Sequence, residues 1–179
     1  KYIAQHFNVF PDGQITSGRS LNSNPIGITG WNATAICIEI YGNFDKGQDT
    51  MREEQKKAVI ALVGELCKRF DIKPGIDTVR YHCWFDRKGN YLGNYVLGKS
   101  TKTCPGTNFF GGNTVADYQT NFLPAIKNYI SNNTQTSKPV AESYLVKINT
   151  NSLNIRKGPG TSYSVVGTVK KNEVYTIVE

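Results

Sequence analysis

The sequence predicts an α/β domain followed by a smaller all-β module, and three observations carry that reading. Residues 2–10 alternate like a strand and meet an Asp12-Gly13 turn before a second short run, a strong hairpin signal. Residues 50–70 then place Ala58, Val59, Leu62, Val63, Leu66, Cys67 and Phe70 at helical spacing, a stripe that reads as core rather than as a cofactor box. Beyond a polar stretch at 132–143, only short alternating runs remain.

Each element has its local reason. After the hairpin, residues 18–32 are rich in Gly, Asn and Pro and read as a long surface loop of the kind that often binds ligands. Residues 33–41 form a nearly continuous apolar run through Ile36, Cys37, Ile38 and Ile40, which predicts a strand buried on both faces. Glu39 interrupts it, and a carboxylate in such a place is costly unless it is paired or protonated. Thr50-Met51-Arg52-Glu53 fits a capping box, and Lys73-Pro74-Gly75 ends the helix it opens. Residues 78–85 read as a returning strand that carries His82. The Gly-, Asn- and Tyr-rich insertion at 86–99 has no assignment, and Cys104-Pro105-Gly106 reads as a turn. Val115, Tyr118, Phe122, Ile126 and Ile130 mark a closing helix over 114–131, bent at Pro124. The domains expected are therefore 1–131, a linker at 132–143, and a module at 144–179. Its strands are read at 144–148, 165–169 and 174–178. So short a module lacks the area for an independent core and reads as cut short.

Charge and composition narrow the partners. The 21 Lys and Arg against 14 Asp and Glu leave +7, which favours an anionic partner such as nucleic acid, an acidic membrane or an anionic cell-wall polymer. The basic residues are scattered rather than interleaved with aromatics, which argues against nucleic acid. No apolar run is long enough to span a bilayer. Cys37, Cys67, Cys83 and Cys104 are widely spaced with no CxxC, so they do not form a disulfide framework, and Cys37 and Cys67 read as inert core. His82 and Cys104 are borderline-soft donors suited to two corners of a tetrahedral zinc. Lys102 puts a cation two residues before Cys104, where it could meet a negative charge developing beside a metal.

The ordered motifs carry a resemblance. His6-Phe7-x-Val9-x-x-Asp12-Gly13-x-Ile15-x-x-Gly18-Arg19 is followed by Asn32-x-x-Ala35-Ile36-x-Ile38-Glu39-x-x-Gly42-Asn43-Phe44, by His82, and by Lys102-x-Cys104-Pro105-Gly106. Over residues 1 to 131 this series resembles the zinc N-acetylmuramoyl-L-alanine amidases, the family that includes phage amidases and peptidoglycan recognition proteins. Ser152-Leu153-Asn154-Ile155-Arg156-x-Gly158-Pro159-Gly160, with Val166-Gly167, is similar to a bacterial SH3 domain, a cell-wall targeting module.

The resemblance implies a mixed central β-sheet flanked by helices, plus a small, truncated SH3-like module. It implies zinc as cofactor, with His82 and Cys104 as ligands. The first zinc histidine of the family lies on a strand upstream of the hairpin, so residue 1 is expected to fall after it. His6 matches the following strand instead, as a core or groove-wall residue. Where some relatives carry a tyrosine before that histidine, Gln5 stands here, and Glu39 takes the role of general base used by relatives lacking the tyrosine. Lys102 stabilises the oxyanion, and Arg19 and Asn32 are candidates for substrate binding. The implied reaction is hydrolysis, by zinc-activated water, of the amide between N-acetylmuramic acid and the L-alanine of the stem peptide. The implied partners are peptidoglycan and, through the SH3-like module, a cell-wall polymer. The implied location is outside the cell, at the wall, as a secreted protein or a phage endolysin. Each assignment has a plainer rival: a structural thiol for Cys104, a strand-end histidine for His82, an ion pair with Arg19 for Glu39, a solvated charge for Lys102. The rival function is a peptidoglycan-binding protein that uses the same groove without hydrolysis.

Overall fold

The hairpin forms as its turn residues require. In the computed structural model, which describes residues 4–133, 144–158 and 160–177, β1 (Phe7–Val9) pairs antiparallel with β2 (Ile15–Ser17). Phe10 and Gln14 close the loop, Asp12 Oδ1 accepts from the Gln14 amide at 3.0 Å, and Gly13 takes the positive φ of 83° that a side chain would resist. On its other edge β1 runs parallel to β3 (Ile38–Ile40), giving a mixed sheet in the order β2-β1-β3.

β3 corrects the expectation of a strand buried on both faces. Only three residues pair; Asn32–Thr34 is a 3-10 turn, Ile38 and Ile40 are half-buried, and Glu39 between them is exposed. Among the described residues β3 is an edge strand, so alternation puts the isoleucines inward and sends the carboxylate to water, which removes the cost of burying it.

α1 (Glu53–Arg69) carries the expected stripe, with Val59, Val63 and Cys67 buried, but it starts without the expected box. Arg52 is extended and no side chain caps the first turn. Burial of Met51, 7% exposed, holds the chain outside the helix until Glu53, and Glu53 and Glu54 complement the N-terminal dipole instead. Gln55 lies fully inside and donates to the Tyr41 carbonyl at 2.8 Å and to the Val9 carbonyl at 3.4 Å, tying α1 to the ends of β1 and β3.

The capping box of this protein is at Thr114. Its hydroxyl accepts from the Asp117 amide while Asp117 Oδ2 accepts from the Thr114 amide, and α2 (Val115–Asp117) begins there. The helix passes through a π turn at Tyr118–Phe122 into α3 (Leu123–Asn133). Pro124 has no N–H to give, and the wider turn just before it accommodates that loss. α3 runs to Asn133, two residues into the stretch read as linker; residues 134–143 of that stretch lie outside the described residues.

Residues 78–85 are not the strand expected. His82–Trp84 is a 3-10 turn flanked by extended Tyr81 and Phe85. The reason is aromatic packing: Trp84, Phe85 and Cys83 are fully buried, and Tyr81 stacks within 4.7 Å of Trp84 and 5.5 Å of Phe109 and Tyr118. A flat strand would send alternate rings to opposite faces, whereas the turn gathers Tyr81 and Trp84 into one core with Phe109, Tyr118, Phe122 and Ile126.

By their internal contacts the residues form two compact units, Lys1–Thr134 and Gln135–Glu179. Within the second, β4 (Tyr144–Lys147) pairs antiparallel with β7 (Val174–Ile177), and β5 (Ser152–Arg156) with β6 (Val165–Lys170). Val178, read as the end of the last strand, lies outside the described residues. Ile148 and Val169 are buried there, while Leu153, Ile155, Val165 and Val166 stay exposed.

Candidate active site

Two turns meet to build the site. The Cys83 amide, next to His82, donates to the Cys104 carbonyl at 2.9 Å, so both predicted zinc donors flank one hydrogen bond. Asn113, 5% exposed, fastens the same two turns: its side chain donates to the Thr103 carbonyl at 2.9 Å, and its own carbonyl accepts from Trp84 Nε1 at 2.8 Å. Ser100 donates its hydroxyl to the Cys83 carbonyl at 2.7 Å.

Asp45 brackets Cys104, a role the sequence reading missed. One carboxylate oxygen accepts from the Thr107 amide at 2.9 Å and the other from the Thr103 hydroxyl at 3.0 Å, on either side of the cysteine. These hydrogen bonds, led by the Thr107 amide, hold its carboxyl below the usual carboxylate range. The signal was its place directly after Asn43-Phe44 in the motif series. A pKa lowered by folding stabilises the native state above the unfolded value of about 3.9, and this stabilisation is lost as pH falls through the lower folded value. Asp45→Ala should therefore cost about 1–2 kcal/mol at neutral pH, allowing for solvent screening, and flatten the acid limb of the stability profile. Urea unfolding at a series of pH values between about 2 and 7 checks both.

The electrostatics tie four predicted residues together. Burial, and then the Lys102 charge, lower the His82 pKa and keep its imidazole unprotonated at neutral pH with a lone pair to offer. Desolvation raises the Cys104 thiol; Lys102 pulls it down, while Glu39 and Asp45 push it up. Glu39 also raises Cys37, after burial. His82, Cys104, Lys102 and Glu39 thus share one electrostatic neighbourhood, with Glu39, Lys102 and Cys104 exposed and His82 half-buried. Arg19 and Asn32 serve the 18–32 loop: Arg19 Nη1 donates to the Asn24 carbonyl at 2.7 Å, and Asn32 Oδ1 accepts from the Gly27 amide at 2.9 Å.

Imidazole nitrogen and thiolate sulfur are both zinc donors, and one backbone hydrogen bond joins the turns that carry them. His6 is not a third. It is 3% exposed, its Nδ1 accepts from the Cys37 amide at 3.1 Å, and Nε2 therefore carries the proton toward the Ser23 carbonyl at 3.0 Å. Among the described residues no group of three His, Cys, Asp or Glu side chains could hold a metal.

The first unit thus combines a mixed sheet, a helix tied to it through Gln55, and an imidazole and a thiol carried on two hydrogen-bonded turns. The sequence pattern of N-acetylmuramoyl-L-alanine amidases matches residues 2–107, and the chain belongs to that family. Among solved structures it is similar to the N-acetylmuramoyl-L-alanine amidase LysC from Clostridium intestinale URNW. The identity is 32% over 38% of this chain and 45% of that one, with a TM-score of 0.36. It is similar, too, to the endolysin N-acetylmuramoyl-L-alanine amidase LysCS of the same organism, at 32% identity over 38% of this chain and 44% of that one, TM-score 0.36. The chain thus matches less than half the length of these solved relatives. No curated protein matches it. No helix among the described residues is long and apolar enough to cross a membrane.

Proposed function

We propose that this chain is the catalytic part of a zinc-dependent peptidoglycan amidase that cleaves the bond between N-acetylmuramic acid and L-alanine, acting at the cell wall. The observation that carries the reading is the backbone hydrogen bond from Cys83, next to His82, to Cys104, with Lys102 and Glu39 acting on the same groups, inside the family match. His82 and Cys104 would be the residues of this chain that hold the metal. Zinc, when bound, supplies Lewis acidity to the carbonyl and acidity to water. Glu39, exposed on its edge strand, takes the proton of the attacking water and returns it to the leaving amine of L-alanine. Lys102 sets its ammonium against the charge that develops on the carbonyl oxygen. Arg19 and Asn32 hold the 18–32 loop as a groove wall for the substrate. Residues 144–179, on their likeness to a bacterial SH3 module, serve as a wall-polymer anchor of a secreted protein or endolysin.

A second reading, binding without hydrolysis, draws on the presence of two zinc donors rather than three among the described residues. One experiment separates the two. Soluble muropeptide is incubated with the protein and zinc, and new L-alanine N-termini are counted with and without chelator. The enzyme reading expects release that chelation abolishes, and removal of 144–179 should weaken retention on isolated walls while sparing this release. Muropeptide binding with no release in zinc establishes the binder.

A further inference from the structure

Two segments that lead to the candidate site residues are fastened to each other. The 18–32 loop packs on the sheet at Gly27, where an added Cβ would run into Cys37 Sγ, two residues before Glu39, and its Ser23 carbonyl faces His6 Nε2 at 3.0 Å. The 86–100 segment returns beside His82: Asp86 and Ser100 form an antiparallel bridge, and the Ser100 hydroxyl bonds the Cys83 carbonyl. Away from those anchors the two segments meet. Trp31 Nε1 donates to the Gly89 carbonyl at 3.0 Å, and the backbones lie so close that a Cβ on Gly89 would run into the Thr29 carbonyl oxygen.

Arg80 sits in the joint. Its guanidinium carbon lies 4.6 Å from the centre of the Trp31 ring and 5.6 Å from the centres of Phe85 and Tyr91, which are themselves paired at 5.4 Å and joined by a backbone bridge. The side chain is 19% exposed, and its Nε donates to the Ile76 carbonyl at 3.2 Å. Its contact with the exposed Asp77 carboxylate is long, at 3.5 Å, and such a pair is worth little. A cation held mostly out of water over several rings is worth more, and a planar guanidinium can lie flat on them where an ammonium cannot. Phe85 is fully buried and ties the joint to the aromatic core, so Trp31, 39% exposed, and the exposed Tyr91 are the rings that Arg80 holds down.

Stacked arginines commonly do no more than staple a surface. This one lies two residues before His82, and Trp31 directly precedes Asn32, whose Oδ1 accepts from the Gly27 amide at 2.9 Å. A shift of the staple is therefore passed to the segments next to both His82 and Glu39. We propose that Arg80 is a positioning residue for the muropeptide: stacked on Trp31, Phe85 and Tyr91, it holds the 18–32 loop against the 86–100 segment as one groove wall, without itself touching the substrate. The identity of that ligand rests on the amidase reading. The affinity a groove displays is its intrinsic affinity multiplied by the fraction of molecules whose walls are in place, so loosening the joint weakens binding and leaves the chemical step on bound substrate alone.

The test compares the whole chain with R80A and R80K, in zinc, on soluble muropeptide. The chain has two tryptophans and Trp84 is fully buried, so fluorescence quenching by acrylamide reads Trp31. R80A should open Trp31 to acrylamide and raise KM about tenfold, the factor that about 1.4 kcal/mol represents, with kcat and zinc content within about twofold of the parent. R80K, milder for folding because it keeps the charge without the plane, should raise KM by about threefold. A KM equal to the parent's in both variants overturns the proposal, including where kcat falls with the folded fraction read by urea titration, which marks a merely structural contact. A raised KM with Trp31 quenching unchanged also overturns it, and makes Arg80 a direct substrate contact. A parent that binds muropeptide without releasing L-alanine N-termini overturns the amidase reading alone, and the same tenfold is then read in Kd by calorimetry. A parent that neither binds nor cleaves overturns both.

Discussion

Glu39→Gln should lower amidase turnover by roughly a hundredfold or more, the effect of removing a positioned general base. Zinc content and muropeptide affinity should stay close to those of the parent. The expectation rests on where alternation puts this residue. Ile38 and Ile40 turn inward and Glu39 outward, and among the described residues its side chain makes no hydrogen bond or ion pair that the fold needs. An amide of the same shape at an exposed site changes stability by less than about 0.5 kcal/mol, so lost activity cannot be blamed on unfolding. Its charge adds to the burial that raises the Cys37 and Cys104 thiols. Turnover is read as new L-alanine N-termini, metal content by elemental analysis and folding by urea titration. A variant with parental turnover removes Glu39 from the mechanism.

Gly106→Ala should be among the most damaging single-methyl changes in the chain, costing about 4 kcal/mol through overpacking joined to backbone strain. Gly106 sits at φ +125°, and a Cβ there would lie 2.5 Å from the Phe44 carbonyl carbon and 2.6 Å from its oxygen. Those are backbone atoms, and the Phe44 carbonyl is already held by the Asn108 amide at 2.8 Å, so they cannot step aside. Phe44 is itself 4% exposed, which blocks retreat on the other side. The shift has to fall on the Cys104 turn, and with it on the bonds from Asp45 to Thr103 and Thr107. Urea unfolding should show the loss directly, and zinc uptake should fall with it, since ligand-supporting contacts are typically worth 10–100-fold in affinity. An alanine variant as stable as the parent shows that the turn has a second conformation.

Much of the first unit was legible in the residues. Asp12-Gly13 announced the hairpin, the stripe from Ala58 to Phe70 announced α1, and the ordered motifs from His6 to Gly106 announced the family. These succeeded because each depends on local order in the sequence: a turn that needs positive φ, a stripe at 3.6-residue spacing, motifs in a fixed series. The errors share the opposite cause. Residues 33–41 read as doubly buried because apolar runs do not say how many strands flank them, and Ile38–Ile40 lies at an edge among the described residues. Residues 78–85 read as a strand because no local rule foresees that Tyr81 and Trp84 must both reach one aromatic core.

By itself, then, the sequence determined the hairpin, α1 and the family, together with the chemistry of His82, Cys104, Lys102 and Glu39 as separate side chains. Only the tertiary structure decided that His82 sits on a turn bonded to Cys104, that Asp45 brackets the cysteine, that His6 is committed to Cys37 and Ser23, and that Asp86 bridges to Ser100. The physical reason is that those contacts join residues far apart in sequence. Their hydrogen bonds and charges come into range only once the aromatic core has closed, and no local pattern of residues encodes a distance across it.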